Sequence, residues 1–163
     1  MFRRAPWALV GLLFFGAGVQ AKETDDAWIR GVFTGKSPRA IALAATEAWQ
    51  RASTMAEHTP DSFVLVGSGR SMQPLYAAGT ILVLQKFPFE LLERGQTVLY
   101  RNHARKVVAH VLVAKGRDGW RAAGLNNSQH DMEPVSAENL VGVVVGAFQP
   151  VSTPHVQLAT LSR

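Results

Sequence analysis

With 163 residues, 47% of them hydrophobic, the chain is long enough for one domain with a sizeable core and is not disordered by composition. The absence of cysteine excludes thiol catalysis, disulfides and cysteine-bound metals and leaves the redox compartment open, while five scattered histidines without a ligand spacing give no metal site. The net charge of +5 falls to +3 once Arg3 and Arg4 are set aside, too small an excess to indicate nucleic acid.

Those two arginines open a segment that reads as an export signal. A basic start leads into an apolar run from Trp7 to Val19 and a small-residue end, Val19-Gln20-Ala21, ahead of Lys22. The run is short against the about 20 residues of a spanning helix, so residues 1–21 are expected to be a cleaved signal peptide rather than a membrane anchor. With either outcome the globular part is expected outside the cytoplasm, in a periplasm or on the outer face of an inner membrane.

Residues 22–60 read as helical. Thr24-Asp25-Asp26 can cap a short helix through Arg30, which Gly31 and Gly35 end. Ser37-Pro38 offers a second cap with Pro at the first helical position. Ile41, Ala44, Ala45, Ala48, Trp49, Ala52 and Met55 then recur at steps of three and four, the spacing of one apolar helix face that packs on a neighbouring layer.

From residue 61 to 150 the texture is β. Strands are expected at Phe63–Val66, Thr80–Leu84, Thr97–Arg101, Lys106–Ala114, Trp120–Ala123 and Leu140–Phe148, separated by turns short enough to join antiparallel neighbours. The fold class is therefore mainly β, a coiled antiparallel sheet or partly open barrel preceded by N-terminal helices, with residues 151–163 as a tail. Phe87-Pro88-Phe89-Glu90-Leu91-Leu92 interrupts the strands and reads as core, or else as an exposed lip for a membrane surface or apolar peptide.

Gly67-Ser68-Gly69-Arg70-Ser71-Met72-Gln73-Pro74-Leu75 follows the first of these strands. Two glycines upstream and a proline three residues downstream make Ser71 a residue where an extended run turns sharply, with its hydroxyl at an exposed strand end. Serine is a weak nucleophile at neutral pH, so the hydroxyl needs a base within hydrogen-bond reach. Lys106 and His110 are both available on one face of the fourth strand. An imidazole titrates at about pH 6.5 and is ready to accept a proton at neutrality, whereas a lysine needs desolvation, so His110 is the preferred base and Lys106 the alternative.

Ser71-Met72-Gln73-Pro74 matches the Ser-Met-x-Pro signature of the signal peptidase I family of serine endopeptidases. Further stretches resemble that family in the same order. Arg94-Gly95-Gln96-Thr97-Val98-Leu99-Tyr100 is similar to its Arg-Gly-Asp box, with Gln96 for Asp. His110-Val111-Leu112-Val113 is similar to the base-bearing strand of the histidine branch, with Val111 for Arg. Gly124-Leu125-Asn126-Asn127, followed by Asp131, is similar to its Gly-Asp-Asn-Asn loop, with Leu125 for the first acid. Leu140-Val141-Gly142-Val143-Val144 resembles its closing strand.

The resemblance implies a scaffold of the signal peptidase and LexA type and a polypeptide substrate bound as an added strand, with no cofactor. It implies Ser71 as nucleophile, His110 as base and Asp131 as the carboxylate that steadies the ring, with Asn126 or Asn127 in support and Met72 and Pro74 beside the substrate. Gly69 stands where many members carry a second hydroxyl, so the backbone N–H of Ser71 is left as the oxyanion donor. These departures leave open a retired protease that binds extended peptides without cutting them, and the shared scaffold leaves open a LexA-like self-cleaving protein.

Overall fold

The β texture after Pro60 resolves into strands close to the expected bounds, and one of them, the last, organises the rest. The computed structural model describes residues 32–152. The segment expected to direct export, the short helix expected at Thr24–Arg30 and nearly all of the tail lie outside these residues. In chain order the described elements are strand β1 (Ile41–Ala44), helix α1 (Ala45–Glu57), β2 (Ser62–Val66), β3 (Ile81–Gln85), a 3-10 turn (Phe89–Leu91), β4 (Thr97–Arg101), β5 (Val107–Lys115), β6 (Trp120–Ala123) and β7 (Leu140–Val151).

The seven strands form one open, mainly antiparallel sheet in the order β2-β3-β7-β4-β5-β6, with β1 also on β7. β7 carries a nearly unbroken run of small and β-branched residues, Leu-Val-Gly-Val-Val-Val-Gly-Ala-Phe, as a strand flanked on both sides requires. Val143 lies opposite Gln85 of β3 and Val98 of β4, and Phe148 lies opposite Ile81 of β3 and Ile41 of β1. One side of β7 is therefore taken by β3, and the other is shared by β4 and then β1.

Side-chain alternation along each strand divides the core into layers. Leu99 and Val111 face one cluster with Met72, Tyr76, Leu82 and Leu125, while Val98, Tyr100 and Leu112 face a second with Leu92, Trp120 and Val135. Helix α1 covers a third cluster, in which Ala48 and Ala52 lie on Ile81, Val83 and Phe148. These two alanines are fully buried, and Gly146 leaves the space into which Met55 packs.

The second expected helix begins later than Ser37-Pro38. The Ser37 hydroxyl donates to the Gly95 carbonyl at 2.8 Å and sits 2.7 Å from the Thr97 hydroxyl, so it is spent on the sheet rather than on a helix cap. Ile41–Ala44 pairs in parallel with Phe148–Val151, where β7 has run past the end of β4 and offers a free ladder. Starting at Ala45, the helix turns Ala48, Ala52 and half-buried Met55 and Ala56 inward, and Trp49 is 48% exposed instead of sharing the packed face. In the Phe87–Leu92 stretch, Leu92 belongs to the core and half-buried Phe87 and Phe89 pack against it, while Leu91 is exposed. Among the described residues no helix is long and apolar enough to cross a membrane.

Candidate active site

The loop between β2 and β3 leaves the sheet through a two-bond neck. Gly67 N–H donates to the Thr80 carbonyl at 2.9 Å, and Gly79 N–H donates back to Gly67 at 2.7 Å. Gly79 has φ +86°, a left-handed conformation that disfavours other residues, and so closes the neck. Beyond it, buried Met72 and Tyr76 anchor the loop in the core, the Tyr76 hydroxyl donating to Pro38 O at 2.7 Å. Ser71 lies beside Met72, half-exposed, at the sheet edge.

β5 brings the imidazole. His110 pairs with Val98 across β4–β5 and is 6% exposed. Its Nε2 is 3.1 Å from the Ser71 hydroxyl and its Nδ1 is 2.6 Å from Oδ2 of Asp131. A carboxylate can only accept, so Nδ1 carries the proton and Nε2 offers its lone pair to the hydroxyl. Asp131 comes from the loop after β6, where its own N–H donates to the Ala122 carbonyl at 2.9 Å. A serine, an imidazole and a carboxylate far apart in the chain thus form one continuous hydrogen-bonded line.

Lys106 is not on that line. It is exposed and lies in the β4–β5 turn rather than in the strand, its N–H held by the Asn102 side chain at 2.9 Å. Four residues of extended chain separate it from His110, about 13 Å at 3.3 Å per residue. Asn126 supports the serine and not the ring: its N–H donates to Ser71 O at 2.7 Å and its side chain to Arg70 O at 3.2 Å. Asn127 closes the loop on itself through Gly124 O at 3.2 Å. Met72 lines the groove described below, whereas Pro74, which follows a cis peptide bond, is exposed and outside it.

Two residues that sequence reasoning assigned no catalytic role bear on the line. Gly124 sits so close to the ring that a Cβ there would lie 2.9 Å from His110 Nε2. Tyr100, 1% exposed on β4, donates its hydroxyl to the same Asp131 oxygen at 2.7 Å and meets the imidazole edge to face, with centroids 6.4 Å apart. Burial first, and then the hydrogen bond to Asp131 and its charge, push the Tyr100 phenol well above its ordinary range, so it stays a donor. The only available signal was a hydroxyl-bearing aromatic at a position of β4 whose side chain shares a face with Val98, the partner of His110.

A groove of about 370 Å³ opens beside Ser71 between the end of β2 and the start of β5, with Met72, Tyr76, Leu82 and Leu99 along its floor. Both walls are open strand edges. On β4–β5, Leu112 N–H to Gln96 O and Asn102 N–H to Lys106 O fix the alternation, so His110 and Val108 bond to β4 while Val107 and Ala109 direct their main-chain groups outward. β6 covers β5 only from Val111 onward. On β2–β3, Gly67 N–H to Thr80 O and Lys86 N–H to Asp61 O direct the main-chain groups of Val64 and Val66 outward. Exposed Val66 and Val107 flank the mouth.

Among the described residues no group of His, Asp and Glu has an arrangement that would hold a metal ion. No protein-family model matches the chain, and a search of curated proteins gives no match. What defines the class of this site is its own geometry: a hydroxyl, an imidazole and a carboxylate in line at the end of an apolar groove.

Proposed function

We propose that the protein is a serine endopeptidase resembling signal peptidase I, built on a sheet of the signal peptidase and LexA type. Its substrates are exported or membrane-associated polypeptides, met outside the cytoplasm. The observation that carries this proposal is the pair of contacts at His110, 3.1 Å to the Ser71 hydroxyl and 2.6 Å to Asp131. Acyl transfer by a serine needs a base in contact with the hydroxyl and a group that holds the base in the right tautomer.

A substrate segment enters extended between the edges of β2 and β5, where the outward main-chain groups of Val66, Val107 and Ala109 offer ladder bonds to any sequence. Side chains that alternate downward meet the apolar floor of Met72, Leu82 and Leu99 and supply selectivity. Ser71 attacks the scissile carbonyl and its proton passes to His110 Nε2, leaving an imidazolium opposite Asp131. The tetrahedral oxygen is held by the Ser71 N–H, which has no backbone acceptor among the described residues. His110 then protonates the leaving amine, and a water deprotonated by the same ring hydrolyses the acyl-enzyme.

Quantitative mass spectrometry of N-termini outside the cytoplasm, comparing cells with the wild-type chain and with Ser71→Ala, tests the proposal. A discrete set of N-termini that disappears in the variant is expected. Identical N-termini in both strains would instead favour a peptide-binding module that does not cut.

A further inference from the structure

Asp131 is an unusual carboxylate for its surroundings. It is largely buried, and its ion-pair contact among the described residues is the imidazole of His110. Both side-chain donors that reach it, His110 Nδ1 at 2.6 Å and the Tyr100 hydroxyl at 2.7 Å, converge on the same oxygen, Oδ2. Two donors on one oxygen compete for its charge, so whatever the phenol draws off is not available to the imidazolium.

We propose that Tyr100 is a positioning residue for the base: by donating to the oxygen that receives His110, its hydroxyl weakens the carboxylate's hold on the imidazolium and sets the pH at which His110 becomes able to take the serine proton. This rests on the Ser71–His110–Asp131 reading above and gives it a fourth member. Among the described residues the groups that face the ring are few. Tyr100 comes from β4, Ser71 from the β2–β3 loop, and Asp131 and Glu133 from the loop after β6. Glu133 accepts from the His103 main chain at 2.7 Å and pairs with its ring at 3.1 Å, which ties that loop to the β4–β5 turn. Arg70, Lys106 and His130, the neighbouring charged or titratable groups along the chain, are exposed.

The sign follows from the competition. In Tyr100→Phe the ring still fills its place in the core, but Oδ2 keeps all its charge for the imidazolium, so protonated His110 is favoured. A hydrogen bond to a charged group is worth enough to move a titration by about one pH unit. The acid limb of kcat/KM is expected to move upward by about that much. Site-specific replacement of Tyr100 by fluorotyrosine, a more acidic phenol and stronger donor, is expected to move it downward. A merely structural tyrosine would change the rate without displacing the limb.

The same titration is read without any turnover by following the His110 ring in NMR spectra of a Ser71→Ala background, wild type at residue 100 against Phe and fluorotyrosine. Opposite displacements in the two variants support the proposal. An unmoved His110 titration, or a downward one in Tyr100→Phe, overturns it. Absence of peptide cleavage by the wild-type chain, with the NMR displacements intact, would count against the hydrolase reading and not against the role of Tyr100.

Discussion

Replacing Gly124 by alanine separates the geometry of the site from the stability of the fold. The added Cβ would sit 2.9 Å from His110 Nε2 and 2.7 Å from the Asn127 amide nitrogen, inside ordinary carbon–nitrogen contact. Asn127 is half-buried in a loop and can swing aside, but the imidazole is held from behind by its 2.6 Å bond to Asp131 and lies against Tyr100. The ring tip must therefore retreat by roughly 0.5 Å to restore contact distance, which stretches the 3.1 Å separation from the Ser71 hydroxyl beyond a useful hydrogen bond. A displacement of about 1 Å at a reacting centre costs about 100-fold, so a loss of about 10- to 100-fold in kcat is expected, with KM little changed. Gly124 does not occupy a left-handed conformation, and a Gly→Ala change there shifts stability by only about 1 kcal/mol. Cleavage of a quenched fluorescent peptide and thermal unfolding, measured on the same preparation, are the assays. Full activity in Gly124→Ala, or a loss matched by unfolding, would refute the placement of the ring.

Three further outcomes follow. His110→Ala is expected to abolish turnover while exposed Lys106→Ala retains it; loss confined to the lysine variant would reassign the base. A Cβ on Gly69 would lie 4.0 Å from the Ser71 hydroxyl and meets nothing else nearby among the described residues, so Gly69→Ser can add a hydroxyl beside the forming oxyanion. Since one such donor is worth about 100-fold or more when native, an increase in kcat of about 10-fold is expected, and an unchanged or lower kcat would show that the oxyanion forms elsewhere. Tyr76 and Tyr100 are the only tyrosines, and burial is the main cause that holds both phenols above their ordinary range near 10. Tyrosinate absorbance is thus expected to stay low in the folded protein past about pH 10, where free tyrosine ionises, with folding at full strength below that pH and weakening above it. A titration near pH 10 in the folded state would contradict the burial of these hydroxyls.

How much was legible in the sequence depended on whether a residue's role was local. The strands after Pro60 are bracketed by Gly, Asn and Asp turns and carry β-branched residues, so their bounds fall within a few residues of those expected. His110 could be ranked above Lys106 by chemistry alone, since strand alternation leaves both on one face but an imidazole needs no special environment to accept a proton at neutrality. β1 was not legible, because Ile41–Ala44 is extended only where β7 outruns β4, and without that partner its alanines read as helix. Trp49 followed from the same error, since the helix starts at Ala45, seven residues after the expected first position at Pro38, and turns Ala48, Ala52, Met55 and Ala56 rather than Trp49 toward the sheet.

In the site, the residues that stayed hidden act through contacts between distant segments. Tyr100 matters because β4 and β5 pair so that Val98 opposes His110 and because the loop after β6 returns Asp131 to that face. Asn126 was expected near the histidine, but its loop passes closer to Ser71 and Arg70 and pins their carbonyls. Neither the register of one hairpin against a returning loop nor the direction of an amide side chain is written in local spacing.

The central claim is that the oxygen of Ser71 becomes covalently acylated because His110 removes its proton. Mass spectrometry of the intact protein and of its peptides after brief exposure to an activated peptide ester tests this directly. A single adduct on the peptide containing Ser71 is predicted, formed by the wild-type chain and lost in both Ser71→Ala and His110→Ala. No adduct at all, or one that forms equally well without His110, would contradict it.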